Sequence, residues 1–69
     1  MIEKANKLAR SEHFDYAEQI GQWNGADVFV AVDKDGGDIG LPQYILALQG
    51  KVRWATVDET KAIMSAGII

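Results

Sequence analysis

The stretch that decides the fold is QWNGADVFVAV, residues 22 to 32. Asn24 and Gly25 are the preferred pair for a type I′ turn, which needs positive φ at both central positions, and the β-branched run after them favours a strand. The stretch therefore predicts a β-hairpin. The predicted pairs across it are Trp23 with Ala26, Gly21 with Val28, and Ile20 with Phe29. Alternation along the strands then predicts one core-facing set: Trp23, Val28, Val30 and Val32.

A second hairpin is predicted directly downstream. Residues 39 to 48 are almost entirely apolar beyond Gln43, as in a strand covered on both faces, and Gln49 and Gly50 can turn the chain into a strand over residues 52 to 57. One face of this hairpin is uniformly apolar and consists of Ile45, Ala47, Val52 and Trp54. The other face is mixed and carries Tyr44, Leu46, Leu48, Lys51 and Arg53.

Helices are predicted at both ends. Residues 2 to 13 have apolar residues on one side of a helical wheel and charges on the other. A second helix is expected over residues 57 to 66, where Thr56 and Glu59 match the capping box. Gly67 suits the left-handed position after that helix, and Ile68 is expected to fold back onto Ile63.

These elements define the expected fold class as α+β, in the order αββββα. A small antiparallel sheet of about four strands, made of two hairpins, carries an N-terminal and a C-terminal helix. Residues 1 to 69 are expected to form one small domain. Both helices are expected on the same face of the sheet, which leaves a contiguous apolar patch on the other face. The alternative arrangement, with the helices on opposite faces, removes that patch.

Composition excludes several classes of protein. The hydrophobic fraction of 48% is typical of a folded domain, and the absence of cysteine excludes disulfides and thiolate zinc sites. No apolar run exceeds five residues, as at 44 to 48, so no membrane segment is expected and a cytoplasmic location is predicted. Because the net charge is −3 and residues 11 to 40 hold most of the acids, a nucleic-acid partner is disfavoured.

Residues 33 to 42, DKDGGDIGLP, are the most obvious candidate for an ion site. Aligned from Asp33, a calcium loop requires an oxygen ligand at position 5, glycine at position 6 and glutamate at position 12. The chain instead has Gly37, Asp38 and Tyr44 there. A strand follows the glycines where a phosphate site requires a helix. The stretch is therefore predicted to be a mobile acidic connection, and weak binding of a divalent ion by Asp33, Asp35 and Asp38 is left open.

No catalytic constellation is visible, so a non-enzymatic protein without a cofactor is predicted. His13, the single histidine, lies at the end of the first helix beside Glu12 and Asp15 but has no nucleophile in an obvious partnering position. Its expected role is that of a surface residue at the negative end of a helix. An acid–base enzyme that uses His13 or a carboxylate pair is the weakest of the alternatives.

The leading functional hypothesis is a small protein–protein interaction or regulatory module. It is expected to self-associate as a homodimer through a sheet face or edge, because both strand faces are apolar in a chain too small to cover them fully. The residues predicted to interact are Phe29, Tyr44, Leu46, Leu48 and Arg53. The alternative is a nucleic-acid-associated regulator that uses the basic face of the first helix: Lys4, Lys7 and Arg10.

Overall fold

A computed structural model describes residues 2–34 and 42–67. The order of elements is α1 (Ile2–Ser11), β1 (Tyr16–Trp23), β2 (Ala26–Val32), β3 (Tyr44–Leu48), β4 (Lys51–Trp54) and α2 (Val57–Ser65). The four strands form one antiparallel sheet in the spatial order β1-β2-β3-β4. The predicted α+β class and the order αββββα are therefore confirmed.

Both hairpins close through two-residue turns at the predicted residues. Asn24 and Gly25 have φ of 51° and 82°, and Gln49 and Gly50 have φ of 53° and 79°. Positive φ at both central positions is the geometry of a type I′ turn, whose twist matches that of the strands it joins. The pairs Trp23 with Ala26 and Leu48 with Lys51 flank the two turns.

The first hairpin departs from its predicted register at Ile20. A β-bulge at this residue places Gln19, and not Ile20, opposite Phe29. Because an extra residue reverses the alternation of side chains beyond it, Ile20 packs on the same face as Val28. The prediction that Ile20 pairs with Phe29 is therefore wrong, whereas the pairing of Gly21 with Val28 is confirmed.

The sheet face that carries Phe29 and Ile45, here called the α1 face, is covered by α1. The small side chains of Ala5 and Ala9 are fully buried against it, which lets the helix approach the strands closely. The helix ends in a Schellman motif: His13 has φ of 71°, its N–H donates to the Arg10 carbonyl at 3.1 Å, and the N–H of Phe14 donates to the Ala9 carbonyl at 3.1 Å.

The opposite face, here called the α2 face, carries Val28 and Leu46 and is covered by α2 through Ile63, which is fully buried. The predicted capping box is present: the Glu59 N–H donates to Thr56 Oγ1 at 3.1 Å, and Glu59 Oε1 accepts from the Thr56 N–H at 2.9 Å. It begins the helix at Val57 as expected.

The two helices therefore lie on opposite faces of the sheet, and the expectation that both cover one face is wrong. The physical reason is that both sheet faces are apolar, so each face needs its own cover. The contiguous apolar patch expected on an uncovered face is consequently absent from the described part of the chain. The helix predicted for residues 2 to 13 ends two residues earlier, at Ser11.

Several expectations concern residues outside the described ranges. These are the start of the third strand at residue 39, the ligand roles of Asp35 and Asp38, and the packing of Ile68 on Ile63. Gly67 is described and has φ of 69°, in keeping with the left-handed conformation expected after α2.

Candidate functional site

The five residues predicted to interact do not share one surface. Phe29, Tyr44 and Leu46 are buried, with exposed fractions of 1%, 1% and 4%. Leu48 is half-exposed at 51%, and the side chain of Arg53 is 59% exposed. Only the last two are therefore accessible to a partner.

The register between the hairpins explains this separation. Phe29 pairs with Ile45 and Val28 pairs with Leu46, so Phe29 points to the α1 face and Leu46 to the α2 face. Each is then covered by a different helix. A single exposed patch that includes both Phe29 and Leu46 is therefore incompatible with this structure.

The site that the structure does present is a groove of about 440 Å³ at the end of the α2 face where the two turns lie. It is here called the turn-end groove. Its apolar residues include Trp23, Ala26, Leu46 and Leu48, and its polar residues include Lys51, Arg53 and Glu59. Trp23 is half-buried at the margin of the α2-face core, so part of its indole is accessible. Because α2 covers only part of this face, apolar surface stays open next to its first turn.

One wall of the turn-end groove is a fixed ion pair. Arg53 Nη1 and Nη2 donate to the two carboxylate oxygens of Glu59 at 2.7 and 2.8 Å, a two-point geometry that holds both side chains. Glu59 belongs at the same time to the capping box. The hydrogen bond from Arg53, followed by that from the Thr56 backbone, lowers the pKa of Glu59 to about 2. The carboxylate is therefore ionised at neutral pH, and it accepts hydrogen bonds from Arg53 and from the Thr56 N–H.

Sequence reasoning missed three residues of this groove: Trp23, Lys51 and Glu59. The sequence pattern predicts Trp23 to be core because it shares a face with Val28, yet its place beside the Asn24-Gly25 turn puts it at the margin of the sheet. For Glu59 the pattern predicts only a capping role. The two-residue loop at Gln49 and Gly50 does bring Lys51 beside Leu48, and this proximity was implicit in the predicted hairpin.

The basic face of α1 is partly engaged within the chain. Lys4 Nζ donates to the Gly50 carbonyl at 2.6 Å, and Arg10 Nε donates to the Asp15 carbonyl at 3.2 Å. These bonds tie the helix to the β3–β4 turn and to the segment before β1. The alternative hypothesis of a nucleic-acid interface needs all three cations of this face to turn outward, and this geometry does not favour it.

Acid–base and metal chemistry receive no support from the described residues. His13 occupies the left-handed position that ends α1 and acts there as a backbone element. Asp15 Oδ2 accepts from the Lys34 N–H at 2.7 Å, which gives that carboxylate a structural contact. Across residues 2–34 and 42–67, no three histidine, aspartate or glutamate side chains are grouped to hold a metal ion.

Tyr44 carries an unusual polar group in the core. Its hydroxyl is buried on the α2 face, and within the described part of the chain it has no hydrogen-bond partner. Burial raises the pKa of this phenol. The ring supplies apolar packing in the α2-face core.

Comparison with protein-family models, with curated proteins and with solved structures finds no match. Within the described ranges, no helix is long and apolar enough to cross a membrane.

Proposed function

We propose that this protein is a small non-enzymatic interaction module that binds a polypeptide segment of a partner protein in the turn-end groove. The observation that carries the proposal is the half-exposed Leu48 beside the accessible part of Trp23, at an opening that α2 leaves uncovered. Large apolar side chains next to a concave surface are what a partner side chain can bury.

The polar groups of the groove support binding more than catalysis. The Glu59 carboxylate is held by Arg53 and by the cap of α2, so it is a poor proton donor or acceptor at neutral pH. A rigid ion pair at the margin of an apolar opening instead provides orientation for polar groups of a partner.

Self-association as a homodimer is the form of this function that the sequence predicts. It depends on which apolar side chains are accessible at the surface. Burial of Phe29, Tyr44 and Leu46 removes three of the apolar residues on which that expectation depended. Leu48, Val57 and Met64 remain as exposed apolar side chains. A second copy is therefore one polypeptide that could occupy the groove, and sedimentation distinguishes it from a foreign segment.

The test is a selection of binding peptides with matched variants. Random twelve-residue peptides displayed on phage are selected on the wild-type chain, and the affinities of the selected peptides are then measured for two variants. Leu48→Asp places a charge inside the groove. Val57→Asp introduces the same charge at an equally exposed apolar residue in the first turn of α2, where an acid is favourable.

The proposal predicts that the selected peptides lose at least tenfold in affinity on Leu48→Asp and less than twofold on Val57→Asp. Equal affinity for all three proteins would overturn it. Sedimentation of the wild-type chain up to several hundred micromolar, compared with Leu48→Asp, identifies the occupant. A dimer that Leu48→Asp dissociates would identify the segment as a second copy.

A further inference from the structure

The sheet has two edge strands, and one of them is closed. On β2, the N–H of Ala31 donates to the Gln43 carbonyl and so points towards β3. Ala31 and its β1 partner Ala17 are therefore a pair without hydrogen bonds to each other. The N–H of Ala17 consequently points away from β2, to the outer edge of the sheet. Asn6 Oδ1 accepts that N–H at 2.7 Å. Together with the bulge at Ile20, this bond blocks the addition of another strand to β1.

The other edge strand, β4, is open as far as residues 2–34 and 42–67 are concerned. The turn at Gln49 and Gly50 makes Leu48 and Lys51 a hydrogen-bonded pair, and Ala55 donates to the Tyr44 carbonyl at 2.9 Å. Between these two hydrogen-bonded pairs, residues of β4 point their backbone groups alternately towards β3 and away from it. The N–H and C=O groups of Val52 and Trp54 therefore point away from β3. The Trp54 carbonyl accepts a long bond of 3.3 Å from Arg53 Nη1. The backbone of Val52 and the N–H of Trp54 are thus presented along the edge.

Grooves flank β4 on both faces of the sheet. On the α2 face lies the turn-end groove, and on the α1 face lies a second opening of about 290 Å³ between α1 and β4, lined by Lys4, Lys7, Leu8, Ser11 and Val52. Val52 borders both openings. Because side chains of an added strand point alternately to the two faces, each groove would receive every second residue.

The charge around β4 is positive although the chain carries a net charge of −3. Lys4 and Lys7 lie on the α1 side, and Lys51 and Arg53 lie on the α2 side. Glu59 neutralises Arg53. Three cations therefore remain in surplus over the acids of these two grooves, and they favour an acidic partner.

We propose that an acidic, extended segment of another protein binds as a fifth strand along β4, with its main chain on Val52 and Trp54 and its acidic side chains beside Lys7 and Lys51. This inference deepens the proposed interaction function and rests on it. Strand addition supplies affinity through main-chain hydrogen bonds, and the flanking grooves supply specificity.

A second copy of this chain is a poor occupant of the same edge. Antiparallel pairing of β4 with β4 about Val52 would place Lys51 of each copy opposite Arg53 of the other, cation against cation. The β1 edge is blocked by Asn6. The favoured segment therefore belongs to a different protein, and self-pairing is one outcome of the test.

The probe is a ten-residue capped peptide that repeats Val-Val-Glu-Glu, so that each face of the added strand carries both valine and glutamate, and it is compared with the peptide in which lysine replaces glutamate. Binding is measured by titration calorimetry and by hydrogen exchange of the backbone amides at two salt concentrations. Val52→Pro removes the outward N–H while leaving the β3 ladder, since proline is tolerated where an edge N–H faces solvent. Val52→Thr keeps that N–H and is the matched control.

A second pair of variants tests charge. The double variant Lys7→Glu with Lys51→Glu reverses the cations beside the edge. The double variant Lys34→Glu with Lys61→Glu makes the same change in net charge at exposed lysines that line neither groove. Thermal unfolding of every variant verifies that it is folded. Hydrogen exchange of the wild-type protein, with and without the peptide, tests strand addition without any substitution.

The inference predicts that the glutamate peptide binds at least tenfold tighter than the lysine peptide and that added salt weakens it. The Val52 and Trp54 amides should gain protection on binding. Val52→Pro and the Lys7/Lys51 reversal should each lose at least tenfold in affinity, and the two controls less than threefold.

If the backbone amides of Val52 and Trp54 gain no protection from exchange on binding, strand addition is overturned. The proposed function stays intact in that case if the selected peptides still bind the wild-type protein more tightly than Leu48→Asp. Tighter binding of a ten-nucleotide thymidine oligomer than of the glutamate peptide would overturn the choice of a polypeptide. Self-pairing that protects the same amides at high protein concentration would overturn the choice of a foreign segment. Loss of both the Leu48-dependent and the Val52-dependent signals would overturn the proposed function as well.

Discussion

Val28 lies directly opposite Leu46 in the ladder that joins the two hairpins. This pair assigns Leu46 to the α2 face and, one residue along, Phe29 to the α1 face. A shift of this β2–β3 register by one residue would place Phe29 and Leu46 on the same face, which is the arrangement that the interaction patch predicted from the sequence requires. The pairing thus determines which apolar residues form the core and leaves Leu48, beyond the end of the β2 pairing, at the surface.

Replacing Tyr44 by phenylalanine should not destabilise the protein. Its hydroxyl is buried without a partner in the described part of the chain, so removing it should leave the free energy of unfolding unchanged or raise it by up to about 1 kcal/mol. Urea unfolding measures the change, with Tyr16→Phe as the control at a less buried tyrosine. A loss above about 1 kcal/mol would show that the hydroxyl has a hydrogen bond.

Removing the side-chain cap of α2 should cost measurable stability. Thr56→Ala deletes the acceptor of the Glu59 N–H and should lower the free energy of unfolding by about 1 kcal/mol. Ser65→Ala, at the other end of the same helix, is the control and should change it by less than about 0.5 kcal/mol. An equal effect of the two substitutions would contradict a specific role for the cap.

The ion pair beside the groove predicts a dependence of stability on acid. The hydrogen bond from Arg53, followed by that from the Thr56 backbone, lowers the pKa of Glu59 from 4.5 to about 2. The stabilisation by the carboxylate is therefore fully present above pH 4.5 and is lost as the pH falls toward 2. The difference in unfolding free energy between wild type and Glu59→Gln should therefore be constant from pH 7 to 5 and shrink below pH 4.5. Chemical unfolding across this range measures it.

Arg53→Gln provides the control for this acid dependence. It removes the cation and leaves the Glu59 carboxylate in the capping box, so most of the loss of stability between pH 4.5 and 2 should disappear. An undiminished loss in that variant would show that other carboxylates cause it.

Asn6 should protect the β1 edge as well as stabilise the fold. Asn6→Ala leaves the Ala17 N–H without its acceptor and should lower the free energy of unfolding by about 1 to 3 kcal/mol. It should also promote concentration-dependent association, because β1 then offers an open edge. Asn6→Asp keeps an acceptor oxygen and should show this additional association only at higher concentration, as sedimentation can verify. Association of both variants alike would contradict the protective role.

Local chemistry made the hairpins predictable. Asn24 and Gly25 adopt positive φ as expected, Gln49 and Gly50 form the second loop as expected, and the face shared by Ile45 and Trp54 follows from that loop. The cap of α2 was equally predictable, because Thr56 and Glu59 satisfy each other's backbone groups three residues apart. Each of these features depends on residues close together in the chain.

The sequence by itself therefore determined the number, order and turns of the elements of this protein. Tertiary structure alone decided the bulge at Ile20, the pairing of Val28 with Leu46 and the placement of the two helices on opposite faces. The turn-end groove and the open β4 edge follow from those choices. The physical reason is that turns and caps are local interactions, whereas register between hairpins and the covering of a face depend on packing between residues distant in sequence.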